Sequence, residues 1–383
     1  MPRDIGGLVG ADETLHHQSV DTFARVGTTD VNWTEKIWTA LSRVDGSLQV
    51  SFGVGKYPNR NVLDAFVGVS RGVEQWAIRG SRELGTAPDL VAIGPIRYDV
   101  IEPLSRVRLQ LDRNDVVPLS FDLEFHSRLP AFFEERDVQY DQFRQTSNII
   151  RFHQAGTATG CITFEGEQID VDPTSWFASR DRSWGVRELV GIPPPDLQPS
   201  HQAFGTRFQF HWFTSQLQRP DGSWYELHYH LRQTEAGYVH FSAYLNEADG
   251  TQVRVTELVP TYRYRAGNRD FLGGAVVLRL EDGTKRTLEV DPVGDSGFHL
   301  HAGGYWPWNG SVFGSWRGED HLEGEYLADA STVPPQAASA LGWQVRDRPV
   351  TVREGDAVGF GFLESICFGD WPDIEFVEVH DGS

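Results

Sequence analysis

The ten residues from Ser179 to Glu188 hold the densest set of groups able to do chemistry in this chain. Ser179, Arg180, Asp181, Arg182, Ser183, Arg187 and Glu188 all carry charged or hydrogen-bonding side chains, and the indole of Trp184 and Gly185 stand among them. A surface loop has no need of the indole, and a core strand has no need of three arginines. The mixture suits a half-buried polar network in which guanidinium groups orient Asp181. Such a network is either a structural ion-pair corner or a place where a carboxyl group moves a proton, since both use the same residue types. On a strand, Arg180 and Arg182 point away from Asp181, which leaves Arg187 or a distant arginine to meet it. Buried and unpaired, Asp181 stays protonated and acts as an acid; paired, it is held ionised as a base or an anchor.

A second constellation lies downstream. Alternation along Trp224 to Arg232 sets Tyr225, Leu227, Tyr229 and Leu231 on one face, and Glu226, His228, His230 and Arg232 on the other. The run before it sets Phe208, Phe210 and Trp212 against Arg207, Gln209 and His211. A polar face holding His211, His228 and His230 either meets solvent or lines a pocket, where the imidazoles become acid–base candidates. His228-x-His230 with Glu235 also resembles the first metal motif of cupins, with Gly222 six residues before His228. The glycine that closes that motif falls at Ser242, and the other candidate pair is His299-x-His301. Hydrogen-bonded or exposed strand histidines are therefore the expectation, with no metal. The run Gly303 to Gly310, with Tyr305, Trp306 and Trp308, reads as an aromatic loop at a cavity mouth, so Tyr305 and Trp306 join Trp212 as candidate ligand contacts. Ser179 and Ser183 lack the Gly-x-Ser-x-Gly elbow of a hydrolase nucleophile.

The elements that must position these residues are strands. Apolar runs flank Asp45-Gly46, Asp221-Gly222 and Asp282-Gly283, the signal of a hairpin. Further strand-like runs recur every 10 to 15 residues or so, as in sandwiches and barrels. Gly156, Gly160 and Gly166 read as punctuation of another hairpin, and Ser311 to Arg317 as a strand. Leu129 to Asn148, with aromatics scattered among acids and arginines, lacks alternation and reads as a helix or ordered loop across a barrel mouth. Ile192-Pro193-Pro194-Pro195 cannot continue a sheet interior. It divides an N-terminal arm (1–30) and a first β-barrel-like domain (31–190) from a second (191–383). A weak echo between Trp38…Asp45-Gly46-Ser47 and Trp212…Asp221-Gly222-Ser223 favours two similar units.

The totals exclude several functions. The chain has 383 residues and a formal charge of −20, a surface that repels phosphate backbones, so no nucleic-acid partner is expected. Cys161 and Cys367 are too few for a disulfide framework and read as free thiols. Residues 1 to 10 lack a signal-peptide pattern, and nothing approaches the ~20 apolar residues of a membrane span. The expectation is a cytoplasmic protein.

The stretch Phe152-His153-Gln154-Ala155-Gly156…Gly160…Phe164-Glu165-Gly166, followed by Arg180-Asp181-Arg182-Ser183-Trp184-Gly185-Val186-Arg187, resembles the lipocalin-like double-barrel proteins related to carotenoid 1,2-hydratase and AttH. Their mark is an Asp-His-x-Trp-Gly type motif at the junction of two halves. This chain has Arg182 where those relatives often carry His, so only Asp181, Trp184 and Gly185 carry over. The resemblance implies an all-β fold of two lipocalin-like antiparallel barrel or sandwich halves packed together, enclosing an apolar cavity. It further implies a cofactor-independent acid–base enzyme of hydratase, isomerase or cyclase type, acting on an apolar small molecule such as a terpenoid or polycycle. In that reading Asp181 is the proton donor or base, His211, His228 and His230 assist, and Arg180, Trp184, Arg187, Trp212, Glu226, Tyr305 and Trp306 surround the ligand. The alternatives are a non-catalytic carrier of a hydrophobic ligand, or a cupin-like metalloenzyme using His228, His230 and Glu235.

Overall fold

The computed structural model describes residue 11 and residues 21–85, 89–198, 205–305, 312–332 and 345–379. Most of the expected N-terminal arm, and Trp306 and Trp308 of the aromatic loop, lie outside these residues. The described residues contain two large sheets and no α-helix, so the protein is all-β, built as two packed halves.

The first sheet has 14 strands. Its centre runs Gln49–Tyr57, Trp33–Arg43, Trp176–Val186, Arg144–Phe164 and Leu119–Ser127, all antiparallel. The sheet curls until Ile93 and Ile96 at one end share a core with Val67 and Ile78 near the other. Strand Asp320–Leu327, from the C-terminal half of the chain, pairs with Glu74–Glu83 at its edge. The second sheet closes on itself. Gly237–Glu247, Trp224–Thr234, Phe208–Gln218, Ala357–Phe368, Arg346–Glu354, Lys285–Pro292, Phe271–Leu280 and Gln252–Arg265 follow one another, and the last pairs back onto the first through Tyr244↔Arg254 and Leu245↔Val253. Closure removes the edges that would otherwise invite aggregation.

The Asp-Gly turns form as their chemistry dictates. Gly46, Gly222 and Gly283 take φ of 68°, 86° and 86°, and each preceding aspartate accepts a backbone N–H two residues on. Other expectations need correction. Leu129 to Asn148 is neither helix nor loop but contains the strands Phe132–Phe133 and Asp137–Asp141 and the start of Arg144–Phe164. Its alternation is inverted: Asp137 and Asp141 point inward while Val138 and Tyr140 are exposed. The inversion is tolerated because Arg232 meets Asp137 at 2.6 Å. Gly156 and Gly160 lie inside one 21-residue strand instead of punctuating a hairpin. A Cβ on Gly156 would sit 2.0 Å from the His126 carbonyl oxygen, so glycine there permits close strand approach. Val312 to Arg317 forms turns, not a strand.

The two halves meet through their outer faces. Trp38, Phe66 and Phe177 from one side pack with Trp212, Phe298, Phe362 and Ile366 from the other. The Trp38 and Trp212 rings meet edge to face at 5.0 Å.

Candidate active site between the two sheets

Strand register assembles the site. In the first sheet Lys36 lies opposite Ser183, and Ser183 opposite Arg151; one step along, Trp38 lies opposite Asp181, and Asp181 opposite His153. Because side chains two residues apart share a face, these six groups form two rows on one outer surface. In the second sheet Trp212 pairs with His230 on one side and Glu364 on the other, while Phe210 pairs with Arg232 and Ile366. The two surfaces face each other around a cavity of about 280 Å³. Leu300, Tyr305, Phe313 and Val345 complete its wall.

Of the candidates, Asp181, Arg187, Trp212, His230 and Tyr305 line this cavity. His228 is adjacent, its Nε2 3.4 Å from Glu134. The others lie elsewhere. His211 lies opposite Leu231 and so projects into the second barrel, bonded to Ser365 at 2.9 Å and Gln209 at 3.0 Å. Antiparallel pairing puts it on the opposite side from its expected partners His228 and His230. Burial holds its pKa down at about 3, so it stays neutral. Arg180 and Trp184 have the opposite parity to Asp181. Arg180 lines a separate cavity of about 510 Å³ with Tyr98 and Phe152, and Trp184 packs against Phe133. Glu226 ties the sheets together by accepting the Ala155 N–H at 3.1 Å, and burial raises its pKa to about 8. Glu235 accepts the Thr206 N–H at 3.0 Å and is no partner of the histidines. Trp306 lies outside the described residues. Gly185 has a plain reason to follow Trp184: at φ 129°, a Cβ would meet the Asn148 carbonyl oxygen at 2.0 Å.

The acid that meets the histidines is Glu134. Arg151 Nη1 donates to it at 2.5 Å; the Nε2 atoms of His153 and His228 stand 3.1 and 3.4 Å away, and His230 Nδ1 3.5 Å. Burial pushes the Glu134 carboxyl up, but Arg151, His230 and the bonds from His153 and His228 overcome it and hold it well below the carboxylate range. The same Arg151 reaches Asp181, Nε to Oδ2, at 3.6 Å. Burial raises the pKa of Asp181, and the charges of Arg151 and Arg187 oppose the rise. Glu364 rises further, to about 8, through burial and then the negative charge of Asp181. Burial and the charge of Asp181 together favour the protonated form of Glu364.

Two groups have the ligand types and spacing for a metal ion: Glu134 with His153 and His228, and Glu134 with His230 and His240. In the first, both Nε2 atoms already meet one Glu134 oxygen, at 3.1 and 3.4 Å, while Arg151 holds the other oxygen at 2.5 Å. In the second, Arg151 Nη1 bonds both Glu134 and, at 3.2 Å, His230 Nδ1, and so stands where the cation would. The cluster suits positioning of Arg151 by neutral imidazoles better than metal binding.

Those imidazoles predict acid sensitivity. Burial keeps His153, His228, His230 and His240 less basic than in the unfolded chain. The unfolded state binds more protons below the ordinary histidine value, so stability is present above about pH 6.5 and falls as pH drops through it. Urea unfolding at pH 7.5 and 5.5 is expected to show a clear drop in midpoint at the lower pH; equal midpoints would contradict the buried neutral cluster.

Sequence reading missed Lys36, Trp38, Glu134, Arg151, His153 and Glu364. Trp38 and Lys36 shared the parity of a strand next to a Gly turn, and His153 stood in the stretch already singled out. Glu134 and Glu364 gave no local signal.

Fold and site together define a lipocalin-like, two-barrel protein with a polar-aromatic cavity between its halves. The Family of unknown function (DUF8625) matches residues 8–376, and the chain belongs to that family. No curated protein matches it. Among solved structures it is similar to a putative AttH from Nitrosomonas europaea, at 15% identity and TM-score 0.51, over 87% of this chain and 92% of that one. This likeness shows the expected fold. Looser likenesses join it to kievitone hydratase from Nectria haematococca (12% identity, TM-score 0.43, 94% and 95% covered) and to CghA (12%, 0.45, 91% and 90%).

Proposed function

We propose that the protein is a cofactor-independent acid–base enzyme, of hydratase, isomerase or cyclase type, acting on an apolar small molecule in the cavity between the sheets. The observation that carries this is a pair of carboxyl groups, Asp181 and Glu364, lining one cavity walled by Trp38, Phe210, Trp212 and Ile366; burial raises the proton affinity of both, and the charge of Asp181 raises that of Glu364 further. Glu364 delivers its proton to a double bond of the ligand. The indoles of Trp38 and Trp212 offer π faces to the cation that forms. In hydration, water adds to the cation and gives its proton to Asp181; in isomerisation or cyclisation, Asp181 takes a proton from a neighbouring carbon. Proton return from Asp181 to Glu364 restores the starting state, so atoms and charge balance. His153, His228 and His230 position Arg151 through Glu134 and do not themselves carry the proton.

Native mass spectrometry of the freshly purified protein identifies the co-purifying ligand. Incubating that ligand with the enzyme in D₂O then tests turnover: deuterium gained at carbon, or added water, is the expected result. A bound ligand that returns unchanged would leave a carrier instead of an enzyme. The active form needs Glu364 protonated, so kcat/KM is expected to fall as pH rises through about 8. A profile flat from pH 6 to pH 9 would remove Glu364 as the acid.

A further inference from the structure

The cations of the cavity wall fall into two groups. Arg151 is paired with Glu134 and Asp181, and Arg232 with Asp137. Lys36 and Arg187 are not: among the described residues neither has a carboxylate at ion-pair distance. Arg187 donates to the Ser183 hydroxyl at 3.0 Å, and its buried Nε has no hydrogen-bond partner. Ser183 is the cross-strand neighbour of Lys36, so this contact brings the guanidinium to the same part of the sheet face as the ammonium. Lys36 is 5% exposed, and its Nζ lies 4.3 and 3.9 Å from the ring centroids of Tyr305 and Phe313. Asp64, the other acid on this side, is bonded to Tyr57 at 3.0 Å and to the Gly314 N–H at 2.6 Å.

We propose that Lys36 and Arg187 form an anion-binding subsite, and that the ligand is an apolar molecule bearing one acidic oxygen function, a carboxylate or an ionised enol. This rests on the reading of the cavity given above and adds the ligand's chemical class. Two buried cations on one wall without a counter-ion are costly, and a ligand anion is the group that would offset them. The electrostatics agree: burial and then the charge of Arg187 lower the Lys36 pKa to about 7, while Asp64 and Asp181 pull it back from beyond contact distance. A bound anion adds the missing charge and orients the apolar body towards Asp181 and Glu364.

Two dyes of one body test this: anilinonaphthalene sulfonate, an anion, and phenylnaphthylamine, its neutral counterpart, titrated by fluorescence. The overall charge of −20 works against the anion, so any preference for it must be local. The sulfonate is expected to bind about tenfold tighter than the neutral dye, and Lys36→Met and Arg187→Met each to remove that preference while leaving neutral-dye binding within about twofold. Both substitutions are also expected to raise the melting temperature, since each removes an uncompensated buried charge. Equal affinities in the parent protein, sulfonate binding indifferent to both substitutions, or a melting temperature lowered by both would overturn the subsite and leave the cavity reading standing. If neither dye binds, the cavity reading falls and the subsite with it.

Discussion

Asp181→Asn is expected to cut turnover of the co-purified ligand by about a hundred- to ten-thousand-fold, with ligand binding and melting temperature nearly unchanged. Asparagine keeps the shape of the carboxylate but can neither accept the proton from water nor balance Arg151. The side chain is 15% exposed, open to the cavity on one side, so the substitution leaves no void. Among the described residues Asp181 has one ion pair, at 3.6 Å, and Arg151 keeps its shorter bond to Glu134. A structural anchor would give the opposite pattern, a lower melting temperature with turnover preserved. That outcome would return the Ser179 to Glu188 stretch to the ion-pair corner it resembles in composition.

The second large effect concerns Glu134. Glu134→Leu strips the nearer of two counter-charges from the buried Arg151, leaving Asp181 at 3.6 Å, and removes the acceptor of His153 and His228; it is expected to destabilise the protein by about 3 kcal/mol in urea unfolding. The double variant Glu134→Leu/Arg151→Met is expected to recover most of that loss, because it removes both charges together. Additive losses would mean that the pair contributes through packing and not through compensation. Turnover of the double variant should remain low: with Arg151 gone, nothing at ion-pair distance among the described residues holds Asp181 ionised against Glu364. Such a separation of stability from activity on these two residues would mark them as positioning groups.

Much of the architecture was legible one residue at a time. Asp-Gly turns between alternating runs require hairpins whatever the tertiary context, because φ above zero is easily reached only by glycine. Alternation also turned Arg180 and Arg182 away from Asp181, although Arg180 and Trp184 were still expected beside the ligand, and it placed Tyr225, Leu227, Tyr229 and Leu231 together, as the second barrel's core confirms. The Leu129 to Asn148 stretch defeated the same rule, since its inward positions are acids made tolerable by arginines from other strands. His211 defeated it differently. Each strand's two faces were read correctly, but which face of one strand joins which face of the next depends on pairing register.

The sequence by itself determined an all-β chain, the positions of its Asp-Gly turns, the parity of the strands around Asp181 and His228, and the presence of a carboxyl among arginines at Asp181. Parity is a property of neighbouring residues and needs no fold. The family resemblance already implied a site between the two halves; only the tertiary structure decided which strand faces and which residues enclose it. It alone brought Glu134, His153 and Glu364 to Asp181. Those residues come from strands and turns far apart in the chain, and only sheet register and the packing of one barrel on the other set their meeting. The shifted proton affinities follow the same logic, for burial and neighbouring charge are properties of that packing and not of any residue alone.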